Sequence, residues 1–166
     1  MVDVAGGVGH VLLAVLRQHA QLQGVVFDRP HAQSLATAAI SRAALAARCR
    51  FVAGDFFQSV PAGADLYLLK SVLHDWDDAA ALAILRRCRE AMAPGARLSV
   101  VERLMPERIL PSAPHRALAR SDLNMLVGPG GRERSLAEYT ELLAQAQLQV
   151  TERLDLVEGY LLVMAS

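Results

Sequence analysis

The sequence predicts an α/β fold built on an open, mostly parallel sheet with helices on both faces. Three observations predict it. Short apolar runs alternate with alanine-rich stretches of helical period, and most of these runs end at a glycine turn or an acidic residue. Hydrophobic residues make up 53% of the 166 residues and aromatics only 5%, as expected where buried strands and small-residue helices share one core.

The first run, Val2 to Val4, passes straight into Ala5-Gly6-Gly7-Val8-Gly9, after which Leu12, Val15, Leu16 and His19 recur at helical spacing. The second, 24–27, ends at Asp28. Pro30 then opens an alanine-rich helix expected to reach about Arg48. Phe51-Val52-Ala53 is the third run and stops at Gly54-Asp55-Phe56-Phe57. The fourth, Leu66 to Leu69, breaks into Lys70-Ser71-Val72-Leu73-His74-Asp75-Trp76-Asp77-Asp78. Asp77 or Asp78 can accept hydrogen bonds from the free amides of a helix whose apolar face is Ala81, Leu82, Leu85, Cys88 and Met92. Pro94-Gly95 stops that helix, and the fifth run, Leu98 to Val101, ends at Glu102.

Residues 104–134 carry four prolines and read as an excursion holding one helix near His115 to Leu126. Ser135 and Glu138 have capping-box spacing, and Leu136, Tyr139, Leu143 and Ala146 form the buried face that follows. Two closing strands, Leu148 to Leu156 and Tyr160 to Met164, are expected to turn at Glu158-Gly159.

Composition narrows the function classes. Seventeen basic and seventeen acidic residues give zero formal charge, and no basic block exists to track a phosphate backbone, which argues against nucleic acid. Cys49 and Cys88 stand apart without metal-ligand spacing and point to a reducing compartment. With no eighteen-residue apolar run and no signal segment, the expectation is a soluble cytoplasmic protein without a membrane partner.

Sheets of this kind bind ligands beyond the carboxyl ends of their strands, which gathers Gly6 to Gly9, Asp28, Asp55, Lys70 to Trp76 and Glu102 on one rim. The glycine turn lets a ligand approach the backbone, yet it misses the GxGxxG dinucleotide pattern, because Leu12 stands at the third position. Asp28 is either an acceptor for ribose hydroxyls or a helix cap. Asp55 with Phe56 offers one acceptor beside a flat face, suited to adenine, or else a turn with core phenylalanines. Lys70, the only lysine, suits a carboxylate or another compact anion, or reaches into solvent from its strand end. His74 is the one histidine among acids at a strand end. With an ordinary pKa near 6.5 it can take a proton at neutral pH once its ring is held. Glu102, ending the neighbouring strand, can hold it. Glu133 is a second candidate, or else belongs to a solvated ion-pair run with Arg132 and Arg134.

Together these segments resemble the S-adenosylmethionine-dependent O-methyltransferases of the caffeate, acetylserotonin and bacterial polyketide or carotenoid type. The matching pieces are VDVAGGVG at 2–9, FDRP at 27–30, GDFF at 54–57, LLKSVLHDWDD at 68–78, VVE at 100–102 and GPGGRERS at 128–135, in the family's order and spacing. The resemblance implies a Rossmann-like class I methyltransferase fold, with a mostly parallel seven-stranded sheet and an antiparallel closing strand. It implies that Ala5, Gly6, Gly7 and Gly9 wrap the methionine part of S-adenosyl-L-methionine, Asp28 the ribose, Asp55 and Phe56 the adenine, and Lys70 the methionine end. His74 would be the general base, flanked by Glu102 and Glu133, with Asp75 and Met125 toward the acceptor, a small hydroxylated aromatic or polyketide-like molecule. No metal is implied. Trp76 either packs near the cofactor or anchors the core.

Three departures stand out. Ala5 replaces the first of three glycines usual in the loop, and Gly128 stands where many relatives have asparagine. The helical domain through which full-length relatives form homodimers has no counterpart here, so the expectation is a catalytic domain alone, over 1–166, with a clipped first strand. A noncatalytic cofactor-binding remnant is the alternative from another class. A nucleotide-dependent oxidoreductase is weakened by the missing third glycine.

Overall fold

The computed structural model describes residues 1–156 and 160–166, so the Glu158-Gly159 turn lies outside the described residues. Seven strands, β1 (Val2–Val4), β2 (Gly24–Asp28), β3 (Cys49–Ala53), β4 (Leu66–Lys70), β5 (Arg97–Arg103), β6 (Val150–Asp155) and β7 (Tyr160–Ala165), form one sheet in the order β3-β2-β1-β4-β5-β7-β6. The pairs from β3 to β5 are parallel, and β7 runs antiparallel to both β5 and β6. The strand order reverses between β1 and β4, which opens a crevice at their carboxyl ends.

Helices cover both faces because the apolar stripes of sequential helices demand it. On one face, α1 (His10–Gln18) and α2 (Gln33–Arg42) bury Leu12, Leu13, Leu16, Ala39 and Ile40 against Val26 and Cys49. On the other, α3 (Asp78–Ala91) and α5 (Leu136–Gln145) bury Ile84, Leu85, Cys88, Tyr139 and Leu143 against Val4, Tyr67 and Leu69. Each fully buried leucine or isoleucine contributes about 1.5–3 kcal/mol relative to exposure, so this second cluster carries much of the fold. Both cysteines are free and buried.

The second helix ends at Arg42, short of the expected Arg48. Ala44 turns left-handed with φ 55°, which swings Leu45 back into the core. Arg48 then donates to the carbonyls of Leu16, His19 and Leu22 at 2.9, 3.1 and 2.8 Å, closing the orphan end of α1. His19 is exposed at that end, and Leu13 takes the buried place. Asp77, not Asp78, caps α3, accepting from the Ala80 amide at 2.8 Å.

The excursion forms α4 (Ala113–Val127), which buries no residue fully and leaves Leu123, Leu126 and Val127 exposed. The capping box on α5 forms in both directions between Ser135 and Glu138. Ser135→Ala should therefore lower the unfolding free energy by about 1 kcal/mol in denaturant titrations, and an unchanged midpoint would show that the box does not hold α5.

Candidate active site

The turn after β1 is tight: the Gly9 amide donates to the Gly6 carbonyl at 2.8 Å, and Ala5, Gly7 and Gly9 all have positive φ, 57°, 57° and 85°. The alanine departure thus falls on a left-handed position, where a Cβ costs about 1–2 kcal/mol. A side chain on Gly9 would press on Val26, with its Cβ 2.7 Å from Cγ2. Asp28 ends the neighbouring strand and does not cap a helix. Its two oxygens accept from the Gly7 amide at 2.7 Å and the Arg29 amide at 2.6 Å, so the carboxylate is tied to the glycine turn.

Asp55 follows β3 and accepts from the Phe57 amide at 2.9 Å. Phe56, Phe57 and Trp76 pack edge to face, with centroids 4.8 to 5.9 Å apart. Of the two readings the sequence left open for Trp76, the structure bears out the core anchor: it packs on the core cluster and lies edge to face with Phe56, the residue after Asp55. Lys70 is exposed at the end of β4, its ammonium 3.2 Å from the Ser71 hydroxyl.

His74 sits in the turn after β4, its side chain 17% exposed. Glu102, 2% exposed, is held by two backbone donors, Val72 N–H at 2.9 Å and Leu73 N–H at 2.8 Å, both to Oε1. Its other oxygen lies 2.8 Å from His74 Nδ1, a close contact bent from the ideal hydrogen-bond line that becomes an ion pair when the imidazole is protonated. Glu133 Oε2 stands 3.9 Å from the same nitrogen, and Asp75 Oδ1 3.4 Å from Nε2. Burial alone would lower the His74 pKa, but Glu102, then Glu133 and Asp75, outweigh it and raise the value above 6.5. Burial raises the Asp75 carboxyl, and the facing imidazole pulls it part of the way back.

Glu133 is no solvated ion-pair residue. It is buried, accepts from the Ser121 hydroxyl at 2.7 Å, and its amide donates to Asp122 at 2.9 Å. The segment 131–134 folds back over the rim: a Cβ on Gly131 would run into the His74 carbonyl, and the Arg132 amide donates to that carbonyl at 2.9 Å. Met125 joins through its main chain, its carbonyl receiving the Gly130 and Gly131 amides at 2.9 and 3.0 Å.

Two residues escaped sequence reasoning. Arg134 is completely buried and donates to the carbonyls of Leu73 and Trp76, both at 2.7 Å, and to Asp78 at 2.9 Å, clasping the turn that carries His74. The glycine pair before it was the available signal, since adjacent glycines mark close backbone approach. Asp3, 4% exposed beneath the glycine turn, has its carboxyl pushed up to about 6, chiefly by burial. A strand-interior aspartate in an apolar run was its only mark.

A family model described as the O-methyltransferase domain matches residues 1–149. The chain belongs to this family. It is 47% identical over 151 residues to O-demethylpuromycin-O-methyltransferase of Streptomyces alboniger, a match over 91% of this chain and 40% of that one. The solved mitomycin 7-O-methyltransferase MmcR superposes with a TM-score of 0.92 at 40% identity, covering 99% of this chain and 47% of that chain. NcsB1 from neocarzinostatin biosynthesis, solved with S-adenosylmethionine and 2-hydroxy-5-methyl naphthoic acid, gives a TM-score of 0.89 at 41% identity, over 99% and 47%. The chain thus spans about half the length of these relatives, or less. No helix among the described residues is long and apolar enough to cross a membrane.

S-adenosylmethionine is the cofactor of this family, and the residues present fit it. The glycine turn leaves open space above Gly7, a carboxylate stands at the end of β2, and an acceptor beside aromatic faces follows β3.

Ring NMR titration should give His74 a midpoint above 6.5, and Glu102→Gln should bring it down. A wild-type midpoint at or below 6.5 would refute the electrostatic account. Because the folded pKa is raised, the stability supplied by protonated His74 is fully present below pH 6.5 and is lost as pH rises through the folded value. Ala5→Gly should stabilise the chain by about 0.5–1 kcal/mol, the left-handed strain less the extra freedom of glycine in the unfolded state. Calorimetry showing a net loss would exclude strain at Ala5.

Proposed function

We propose that this chain is the cofactor-binding, base-bearing part of an S-adenosylmethionine-dependent O-methyltransferase acting on a phenolic hydroxyl of a small aromatic acceptor, with His74 as general base. One observation carries the reading: His74 Nδ1 is held by the buried Glu102 carboxylate while Nε2 faces the rim beside Asp75. That arrangement keeps the proton on Nδ1 and leaves Nε2 as the accepting atom.

Bound S-adenosylmethionine supplies an electrophilic methyl group. The chain does the rest by holding and by moving one proton. Asp28 accepts the ribose hydroxyls with the lone pairs its two amide donors leave free, and Asp55 with Phe56 takes the adenine. The glycine turn and Lys70 hold the methionine end. A phenol with a pKa near 10 is mostly neutral at pH 7 and a weak nucleophile, so His74 removes its proton as attack proceeds. Glu102 and Glu133 stabilise the imidazolium formed, a role supported by their raising of the His74 pKa. Alignment of the acceptor oxygen supplies much of the remaining rate.

The hydroxylated aromatic acceptors of relatives support this substrate class; NcsB1 was solved with a hydroxynaphthoic acid. Homodimeric assembly through a helical domain of a longer chain belongs to the same proposal, and exposed Leu123, Leu126 and Val127 are apolar surface that such a domain would cover. A cytoplasmic setting is likewise proposed, on the two free buried cysteines.

His74→Ala should cut methyl transfer by roughly 100-fold or more and leave S-adenosylhomocysteine affinity within about twofold. A parallel loss of both would make His74 structural. Cofactor binding with no transfer to any phenol, under all conditions, would instead mark a noncatalytic remnant.

A further inference from the structure

We propose that Arg103 is an anion-recognition residue of the acceptor site, so that the preferred acceptor carries a carboxylate in addition to the hydroxyl offered to His74. This rests on the methyl-transfer reading above. The sheet register sets up the geometry. Arg103 lies opposite Tyr160 on β7, and Lys70 lies opposite Val101, two residues before Arg103, so all three side chains share one face while Glu102 points to the other. The final two residues of β5 therefore divide the labour, Glu102 toward the base and Arg103 toward the opposite side of the same rim.

Both cations approach one ring. Arg103 Cζ lies 5.0 Å and Lys70 Nζ 5.1 Å from the Tyr160 centroid. An aromatic face attracts each cation but neutralises neither. Among the described residues, neither takes part in an ion pair. Arg103 Nε is buried and has no hydrogen-bond partner among them. A buried donor without an acceptor is unfavourable, and a bound carboxylate would supply that acceptor.

The space around Arg103 has matching chemistry. It forms a wall of two cavities, of 510 Å³ and 430 Å³, within the range of small-molecule sites. The first is lined mainly by Leu104, Pro106, Pro114 and Leu118, flat apolar surface for a ring system. The second adds Arg120 and Ser121, and the Ser121 hydroxyl is bonded to Glu133 of the base cluster. Among the described residues, no aspartate or glutamate lines either cavity, although the chain holds seventeen of them. His115 in the first cavity accepts the Leu110 amide on Nδ1, so that ring nitrogen is already engaged and the guanidinium of Arg103 is the donor group left facing the space. A guanidinium presents paired donors to a carboxylate, a geometry that lysine lacks. Lys70 remains available for the methionine carboxylate.

The test compares binding of 3-hydroxy-2-naphthoate with that of 2-naphthol, which lacks the carboxyl, to the whole chain saturated with S-adenosylhomocysteine. Wild type should prefer the carboxylate by about tenfold or more, and Arg103→Gln should reduce the preference to about twofold, with most of the loss falling on the carboxylate-bearing compound. Arg103→Lys should restore part of it, since the charge returns without the paired donors. Equal binding of the two compounds by wild type, or a full preference surviving in Arg103→Gln, would overturn the proposal. S-adenosylhomocysteine affinity, read on the same samples, tests the methyltransferase reading separately: its failure beside an intact carboxylate preference strikes that reading and leaves the anion site standing.

Discussion

The site depends on the Glu102 carboxylate. A carboxylate 2% exposed is tolerated only where donors surround it, and here the donors are the amides of Val72 and Leu73, the first residues of the turn that carries His74. Satisfying the acid and placing the base are thus one interaction. The second oxygen, left over from the amides, faces the imidazole, so the group that shapes the turn also sets the proton affinity of His74.

Arg134 closes the same turn from the other side. Its guanidinium takes the Leu73 and Trp76 carbonyls, groups that the abrupt end of β4 leaves without strand partners, while Asp78 balances its charge. The adjacent Glu133 is carried inward with it. Breaking this buried network by removing one member would strand the others, which is why its parts act as a unit. The glycine turn is built more loosely: one Asp28 oxygen links it to β2, and Ala5 keeps a left-handed backbone that glycine would adopt without strain.

Much of the fold was legible in the sequence because its signals are local. Strand runs, the Asp77 cap, the Ser135-Glu138 box and the Pro94-Gly95 stop each depend on residues within a turn of one another, and each appears where expected. The end of α2 was not legible, since alanine continues a helix as readily at 44 as at 39. What stops it is Arg48 reaching residues 16, 19 and 22, a contact distant in sequence.

By itself the sequence determined which chemistry the rim could hold: one lysine, one histidine among acids, and carboxylates at the ends of successive strands, gathered by the parallel topology that the alternating pattern demands. Only the tertiary structure decided how those groups act on each other. Glu133 changed from a candidate in a charged run to a buried neighbour of His74, Asp28 from a possible cap to a partner of the glycine turn, and Arg134 and Arg103 from ordinary arginines to a clasp and a guanidinium whose buried Nε has no partner among the described residues. The physical reason is burial. A side chain's charge is written in the sequence, but its solvation and its partners are set by which distant backbone folds over it.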